Sequence, residues 1–314
     1  MWDDERAQGG PDSAKKAMVV VVTGAAGFLG KRVVRQLSDA GHAVLALVHR
    51  QPAERLWGPG VEVVSGDVTD PASLVGAFEH AQAAVHLAAV LVERGRQTFA
   101  RVNVEGTRNV VAAAEAAGVQ HLVHMSVVDA QPNRRYRYLQ SRWEGEQAVQ
   151  ASTVPWTIVR AALLFGEGDA FFSVLARAMR LPSPVFPIIG DGSARFHPFA
   201  ADEMARCIVT LMSSEGARRF YNLGGPDILT YEQMVDTLTA VIGLRRWKVH
   251  VPIPLVWPGA WVMERLLAHP LLTVEQLRLL EVDSVGELGL VEREFGFKPT
   301  PLREGLVYLQ KKAE

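Results

Sequence analysis

Three glycines near the start of the chain are spaced so that their backbone could hold a phosphate. Gly24, Gly27 and Gly30 lie in TGAAGFLG, after four consecutive valines and before apolar residues at helical spacing. This order predicts a strand, a tight turn and a helix. Gly24 would permit the turn, Gly27 would leave bare backbone for a pyrophosphate, and Gly30 would allow close helix packing. The helix N-terminus would add free N–H groups for the phosphates.

The end of the second predicted strand bears on which dinucleotide binds. An NAD site has an acidic residue here for the ribose 2′-hydroxyl, whereas an NADP site has a cation. The chain has His49 and Arg50, then Gln51, and no carboxylate before Glu54. Arg50 could bind a 2′-phosphate through two hydrogen bonds, although it could also be merely solvated. We therefore expect NADP(H) as the preferred cofactor, with NAD(H) as the alternative.

Strands and helices alternate through the first half of the chain. Predicted strands at residues 43–50, 61–67, 83–89, 121–126 and 156–166 follow the first one, with helices between them, including 98–117 and 138–150. This alternation with short loops predicts an α/β fold with a doubly wound parallel sheet, as in Rossmann domains. We expect a disordered tail at 1–17, a dinucleotide-binding domain at 18–166, and a smaller α/β substrate-side domain at 167–314, partly interleaved with the first.

Composition excludes several classes of protein and of site. A net charge of −1 over 314 residues leaves no electrostatic footprint for nucleic acid. The single Cys207 excludes an internal disulfide and is expected in the core, and no metal site is expected. The N-terminus lacks the features of a secretory signal, and the apolar run Val251–Met263 is too short and proline-rich to span a bilayer. We expect a cytoplasmic protein, with peripheral membrane association left open.

Further motifs accompany the glycine turn in a consistent order. They are GDVTD after the third strand, HLAA after the fourth, NVEGTRNVV in the next helix, a serine after the fifth strand, a tyrosine-centred helix, GDGSARFHPFAADEMA and LTYEQMVD. Together with GxxGxxG spacing, this order resembles the extended and atypical short-chain dehydrogenase/reductases of the NAD-dependent epimerase/dehydratase superfamily. The resemblance is strongest to the NDUFA9-like group, which includes an accessory subunit of respiratory complex I.

The resemblance implies a set of cofactor-binding residues. Asp67 and Val68 would hold the adenine ring, and Ala88 and Ala89 would leave room for the ribose and pyrophosphate. Asn103 would face the cofactor, although a buried clasp between helix and strand is the alternative. The complete expected set is Thr23, Gly24, Gly27, Phe28, Leu29, Gly30, His49, Arg50, Asp67, Val68, Ala88, Ala89 and Asn103.

The resemblance also implies three catalytic residues. In the family a serine acts with a YxxxK helix, in which lysine binds the ribose and tyrosine exchanges the substrate proton. The matching residues here are Ser126, Tyr138 and Arg142. Arg142 takes the place of the lysine; its charge could stabilise a tyrosinate, but arginine does not release a proton in proteins.

Two functions are compatible with an arginine in place of the family's lysine, and the residues leave both open. One is an NADP-dependent oxidoreductase or epimerase acting on a small carbonyl or sugar-like substrate. The other is a non-catalytic NADPH-binding accessory or assembly subunit of a respiratory or membrane complex. The expected partners are accordingly an unidentified small molecule, a second copy of the chain, or a peripheral membrane complex.

Overall fold

The computed structural model describes residues 17–49, 57–212, 218–267 and 272–310. The tail expected at residues 1–17 lies outside this range except for Ala17. Arg50, the predicted 2′-phosphate ligand, also lies outside the described residues.

The first half of the chain alternates strands with helices. In chain order the elements are β1 (Val19–Thr23), α1 (Gly30–Asp39), β2 (Ala43–Val48), β3 (Val61–Ser65), α2 (Val75–Phe78), β4 (Ala83–His86), α3 (Gly106–Ala116), β5 (His121–Val127), α4 (Arg137–Gln150) and β6 (Trp156–Ala161). A 3-10 turn, Pro71–Leu74, precedes α2, and a π-helical segment, Phe99–Glu105, precedes α3.

The second half has shorter strands and more varied helices. Its elements are β7 (Leu164–Phe165), α5 (Phe172–Met179), β8 (Val185–Ile189), β9 (Arg195–Phe196), β10 (Phe199–Ala200), α6 (Ala201–Met212), β11 (Arg219–Leu223), β12 (Leu229–Thr230), α7 (Tyr231–Ile242), β13 (Trp247–Val251), α8 (Ile253–Leu266), α9 (Val274–Leu279), α10 (Leu290–Phe295) and α11 (Leu302–Gly305). A 3-10 segment, Leu306–Leu309, follows α11.

Among the described residues, seven strands form one parallel sheet in the order β11-β6-β5-β4-β1-β2-β3. Three of the four valines of β1, Val20 to Val22, are buried because the sheet has packed layers on both faces, as parallel sheets require. The order reverses direction at β1, so the carboxyl ends of β1 and β4 border the crevice where ligands bind in such folds. The predicted doubly wound α/β fold is confirmed.

Two apolar cores cover the faces of this sheet. One includes Val33 and Leu37 of α1 together with Met204 and Ile208 of α6. The other contains apolar residues of α3 and α4 against the opposite face, including Val110 and Val149. A third core lies among the elements that follow β6, where α5, α7, β8 and the 3-10 segment meet.

The second half also contributes to the large sheet. Strand β11 pairs with β6 at the sheet edge, with Phe220 beside Ile158, and α6 packs against α1. Arg32 and Arg35 of α1 both pair with Asp202 of α6, at 3.0 and 3.1 Å. The chain therefore returns to the first layer after leaving it at β6.

Two predicted elements are divided in the structure. The strand expected at 156–166 ends at Ala161, where the Ala162 N–H donates to the carbonyl of Leu223, and β7 then pairs with β10. The helix expected at 98–117 begins as the π-helical segment and becomes α-helical at Gly106. The π-helical turn contains Asn103, whose side chain points inward and bonds the loop after β4.

Helix α8 is the least covered helix in this part of the molecule. Of its residues, all of which the structure describes, Ala260 alone is fully buried. Trp257 and Trp261 are 41% and 40% exposed. No helix within the described ranges is long and apolar enough to cross a membrane.

Candidate functional site

The glycine turn between β1 and α1 has the shape of a phosphate cradle. Gly24 has φ +70°, and a Cβ there would lie 2.7 Å from the backbone nitrogen of Ala88. A Cβ on Gly30 would overlap the carbonyl oxygens of Gly24 and Ala25, so Gly30 makes room for the turn itself. Gly27 is exposed, and its Cβ would meet only the Gly24 oxygen, at 3.0 Å. The open position at Gly27 is where a phosphate could approach the backbone.

The start of α1 offers uncapped N–H groups beside this cradle. Leu29 occupies the N-cap position, and no described side chain caps the helix. Phe28 is fixed by Arg32, whose Nη1 donates to the Phe28 carbonyl at 2.8 Å and whose guanidinium lies 4.5 Å from the ring centre. A helix end without a capping side chain favours an anion. The predicted residues Gly24, Gly27, Phe28, Leu29 and Gly30 are thus brought together in one turn whose backbone could bind an anion.

His49 and Asp67 meet at the ends of β2 and β3. The His49 Nδ1 lies 3.1 Å from one carboxylate oxygen of Asp67, and the other oxygen accepts a hydrogen bond from Thr69 N–H at 2.8 Å. Val68 is buried against Gly106, where a Cβ would come within 2.8 Å of its Cγ2. Asp67 and Val68 are therefore held rigidly at the edge expected for adenine.

Ala88 and Ala89 follow β4 directly opposite the glycine turn. The Ala88 N–H donates to Thr23 Oγ1 at 3.4 Å, and Ala89 is exposed. Thr23 itself is fully buried, so it holds the loop after β4 rather than facing solvent. These contacts join the two loops that border the crevice.

A buried histidine continues this network into the sheet. Thr107 Oγ1 donates to the Asn103 carbonyl at 2.7 Å and therefore accepts from His86 Nε2, at 3.0 Å. The Nδ1 of His86 then accepts from Thr23 Oγ1 at 2.7 Å. Burial, with a smaller effect of the Arg142 charge, lowers the pKa of His86 to about 3. His86 is thus a neutral structural link, which the sequence analysis did not identify.

Asn103 makes the contacts of a clasp. Its Oδ1 accepts from Val90 N–H at 2.9 Å, and its Nδ2 donates to the Val90 carbonyl at 3.1 Å and to Ser141 Oγ at 3.0 Å. The side chain is fully buried. These contacts are those of a buried clasp between helix and strand, the alternative to cofactor contact that the sequence left open. They tie the loop after β4 to helix α4.

The three predicted catalytic residues lie on β5 and α4, which pack together. Ser126 and Arg142 are buried, and the Arg142 Nη2 donates to the carbonyl of Met125, next to Ser126. Ser126 Oγ and the Nε and Nη1 of Arg142 have no hydrogen-bond partner among the described residues. Buried polar atoms are nearly always hydrogen-bonded in folded proteins. The vacant donors and hydroxyl therefore fit a polar ligand such as the ribose and carbonyl groups of a bound cofactor and substrate.

Tyr138 is buried beside this charge. Burial raises the pKa of its hydroxyl, and the positive charge of Arg142 opposes that rise. Its ring packs against Phe99, with ring centres 5.8 Å apart, and its backbone N–H donates to Glu275 at 2.8 Å. Tyr138 is consequently held in the protonated form near neutral pH.

His124 is a further buried group that the sequence analysis did not connect with this site. On β5 it shares a face with Ser126, two residues later, and its ring centre lies 5.1 Å from that of His86. Neither ring nitrogen has a partner within the described chain, and burial holds its pKa well below the usual range. The sequence could have shown that His124 and Ser126 share a face, because they lie two residues apart on one strand. Only the pairing of β5 with β4 shows that His124 faces His86.

A groove leads from this region towards α8. It has a volume of about 460 Å³, and its lining combines apolar residues, among them Phe99, Trp257 and Trp261, with six charged ones out of twelve lining residues. Two of the charged residues, Arg137 and Glu93, form a 2.8 Å ion pair. Because Phe99 also contacts the Tyr138 ring, the groove could hold an apolar group next to the predicted proton donor.

The chain matches known dinucleotide-binding proteins. A family model described as NAD(P)H-binding matches residues 24–176. The ceramide reductase of Caulobacter vibrioides is 32% identical over 257 residues, which cover 78% of this chain and 77% of that protein.

More distant relatives differ in what their names describe. A mitochondrial subunit of Arabidopsis thaliana, named NADH dehydrogenase [ubiquinone] 1 alpha subcomplex subunit 9, is 26% identical; the match covers 78% of this chain and 62% of that protein. Among solved structures, dTDP-glucose 4,6-dehydratase from Streptomyces venezuelae, with NAD and TYD bound, has a TM-score of 0.71 at 22% identity, covering 94% of this chain and 96% of that one. The likeness to the dehydratase structure supports the assignment of the fold.

Proposed function

The chain belongs to the atypical short-chain dehydrogenase/reductases of the NDUFA9-like kind, and from this we propose that it is an NADPH-dependent reductase of a ketone carried on an alkyl chain. The observation that carries the proposal is the position of Tyr138, which lies beside the Arg142 charge and packs its ring on Phe99, one of the residues that line the groove. Two relatives support the substrate class by their names, the ceramide reductase and a 2-alkyl-3-oxoalkanoate reductase of Stenotrophomonas maltophilia, which is 27% identical.

Tyr138 is proposed as the proton donor. When bound, NADPH supplies the hydride that reduces the carbonyl carbon. Because burial keeps the Tyr138 phenol protonated, it can donate to the carbonyl oxygen as negative charge develops there. The Arg142 charge then stabilises the tyrosinate. Arginine does not release a proton, so Tyr138 regains its proton from water in the groove.

Ser126 and Arg142 are proposed as the groups that orient the reactants. The Ser126 hydroxyl would bond the substrate carbonyl, and the free Nε and Nη1 of Arg142 would bond the ribose next to the nicotinamide. Both roles are supported by the missing partners of these atoms among the described residues. Both side chains are almost fully buried without ligand, so these contacts require a local opening beside β5 and α4 when the cofactor and substrate bind.

The glycine turn and the ends of β2 and β3 are proposed to hold the rest of the cofactor. The pyrophosphate would lie over Gly24–Gly30, and Asp67 and Val68 would contact adenine. Arg50 would bind the 2′-phosphate and give the preference for NADPH over NADH. Asn103 would act through the loop that it clasps. The proposed location is the cytoplasm.

A second candidate function is a non-catalytic subunit that holds NADPH and docks on a membrane complex. The replacement of lysine by Arg142 favours it, and so does the exposure of apolar residues on α8. The Arabidopsis relative, named as a subunit of NADH dehydrogenase, is consistent with this alternative.

NADPH oxidation with a panel of alkyl ketones separates the two candidates. We expect turnover by the wild-type protein and a loss of at least about 100-fold in Tyr138→Phe, the range typical of a lost proton donor. NADPH affinity, measured by calorimetry, should be unchanged in the variant because Tyr138 is not in the cradle. An absence of turnover with every ketone, despite tight NADPH binding, would favour the subunit.

A further inference from the structure

Arg142 is a buried cation that has no ion pair among the described residues. It is 3% exposed, and arginine stays charged in folded proteins. The carboxylate that acts on it in the described part of the chain is that of Glu146, one helical turn further along α4. This carboxylate already accepts two hydrogen bonds from Arg160, from Nε at 2.9 Å and from Nη2 at 2.6 Å. The charge of Arg142 therefore lacks an anion of its own within the described ranges.

The other polar groups beside Arg142 are neutral. Burial lowers the pKa of His86 to about 3 and that of His124 well below its usual range, and the Arg142 charge adds to both effects. Burial also raises the pKa of the Tyr138 hydroxyl, which is therefore protonated near neutral pH. A buried charge without a partner of opposite sign is costly. The surroundings of Arg142 thus favour a ligand that carries a negative charge.

The polar atoms around this charge are suited to an acceptor. Nε and Nη1 of Arg142 both carry N–H groups, and neither atom has a partner among the described residues. The same is true of the Ser126 hydroxyl and of both ring nitrogens of His124. A hydroxyl and a neutral imidazole can each donate one hydrogen bond. Water could accept such bonds, but only an anion would also balance the charge.

Strand β5 and helix α4 bring these three side chains together. His124 and Ser126 lie two residues apart on β5, so they point to the same face of the sheet. Helix α4 packs on this strand, and the Arg142 Nη2 donates to the carbonyl of Met125, the residue between them. Ser126, His124 and Arg142 are each 3% exposed or less. They therefore enclose a small polar site away from solvent.

We propose that the cofactor-free protein binds a small monovalent anion at Arg142, with Ser126 and His124 as further donors. One positive charge matches one negative charge, and the enclosed position favours a compact ion such as chloride or formate. Nε and Nη1 are also the atoms proposed above to bond the ribose, so the anion and NADPH would exclude each other. This exclusion rests on the proposed function, whereas the anion site itself does not.

Thermal unfolding of the full chain without NADPH tests the anion site. At a constant ionic strength of about 0.3 M, gluconate is replaced stepwise by chloride or formate, so that the screening of surface charges does not change. Gluconate is the reference because it is too large for an enclosed site. An anion at about ten times its Kd should raise the unfolding midpoint by about 2–4 °C in a chain of this size.

Three variants assign the effect to particular residues. Arg142→Met should lose the rise in the midpoint, because the charge is removed. Ser126→Ala keeps the charge and removes one donor, so the same rise should need about fivefold more anion. Arg35→Met is the matched control, since Arg35 is an arginine of α1 whose side chain is 63% exposed. It should keep the full rise.

Calorimetry of NADPH binding in the same solutions tests the exclusion. The NADPH Kd of the wild type should rise about tenfold at that anion concentration, and the anion should have much less effect on Arg142→Met. A midpoint that rises while the NADPH Kd stays constant would keep the anion site and overturn the exclusion, together with the proposed ribose contact.

Three outcomes of the unfolding experiment would overturn the anion site. They are no rise in the wild-type midpoint, an equal rise in Arg142→Met, or an unchanged concentration dependence in Ser126→Ala. The last variant decides the question even where Arg142→Met does not fold. Since the midpoint needs neither cofactor nor substrate, its failure is distinct from a failure of the reductase proposal.

Discussion

Replacing Arg142 by methionine should separate stability from function. In the wild type Arg142 is 3% exposed, and of its side-chain nitrogens only Nη2 has a partner among the described residues, the carbonyl of Met125. Methionine has a similar length and removes the buried charge together with its two unpartnered donor groups. Each unsatisfied buried group costs about 1–3 kcal/mol, whereas the lost hydrogen bond contributes about 1 kcal/mol. Glu146 loses a favourable charge but keeps its ion pair with Arg160, at 2.6 Å.

The free energy of unfolding of Arg142→Met, without cofactor, should therefore be unchanged or up to about 3 kcal/mol higher, as for other buried charges replaced by apolar residues. Turnover should disappear, because the positive charge beside Tyr138 is lost. Urea unfolding with and without NADPH measures both effects, since a cofactor at about 100 times its Kd adds about 2.7 kcal/mol. The variant should gain less from NADPH than the wild type. A loss of more than about 2 kcal/mol without cofactor would refute the reasoning, because it would mean that Arg142 holds the fold together.

Three further predictions concern the cofactor site and the buried histidines. Gly27→Val should abolish NADPH binding, measured by calorimetry, with little effect on the free energy of unfolding. Gly30→Ala should destabilise the protein because its Cβ would overlap backbone oxygens of the turn. Equal stability of the two variants would contradict this. Arg50→Ala should weaken NADPH by roughly 10- to 150-fold, as expected for a lost charge-assisted hydrogen bond of about 1.5–3 kcal/mol. NADH should change much less, and equal losses would remove Arg50 from the 2′-phosphate site. Burial keeps His86, His121 and His124 neutral with pKa values below the unfolded value of 6.5, so stability is complete above that pH and is lost as pH falls. Between about pH 7 and 5.5 each of these histidines should lower the free energy of unfolding by roughly 1 kcal/mol. Because His121→Gln has one such histidine fewer, its free energy of unfolding, measured in urea, should fall by roughly 1 kcal/mol less than that of the wild type.

The sequence predicted the parallel sheet because the features that indicate it lie close together along the chain. Four valines, a glycine turn and a following helix identify β1 and α1, and the alternation that follows leaves few topologies open. The place of β11 beside β6 could not be predicted, since pairing between strands 60 residues apart leaves no mark in a single sequence. The division of the strand predicted at 156–166 also depends on β11, because the last bond between β6 and β11 runs from the Ala162 N–H to the Leu223 carbonyl and the chain then pairs with β10 instead.

The sequence singled out candidate site residues by their motifs and did not single out the histidines inside the sheet. Ser126 was predicted from the family resemblance, as a serine after the fifth strand, and the structure places it within β5 (His121–Val127). His86 and His124 appear in the sequence as isolated histidines within apolar strands, and only the pairing of β4 with β5 brings their rings together. For Asn103 the sequence left a choice between cofactor contact and clasp, and three hydrogen bonds to Val90 and Ser141 show the clasp contacts.

Deuterium transfer from NADPH labelled at nicotinamide C4 tests the central claim most directly. The wild-type protein is incubated with labelled NADPH and the panel of alkyl ketones, and the products are examined by mass spectrometry beside those of Tyr138→Phe. The account predicts a deuterated alcohol from at least one ketone with the wild type and almost none with the variant. Tight binding of labelled NADPH without transfer to any ketone, or equal transfer by Tyr138→Phe, would contradict it.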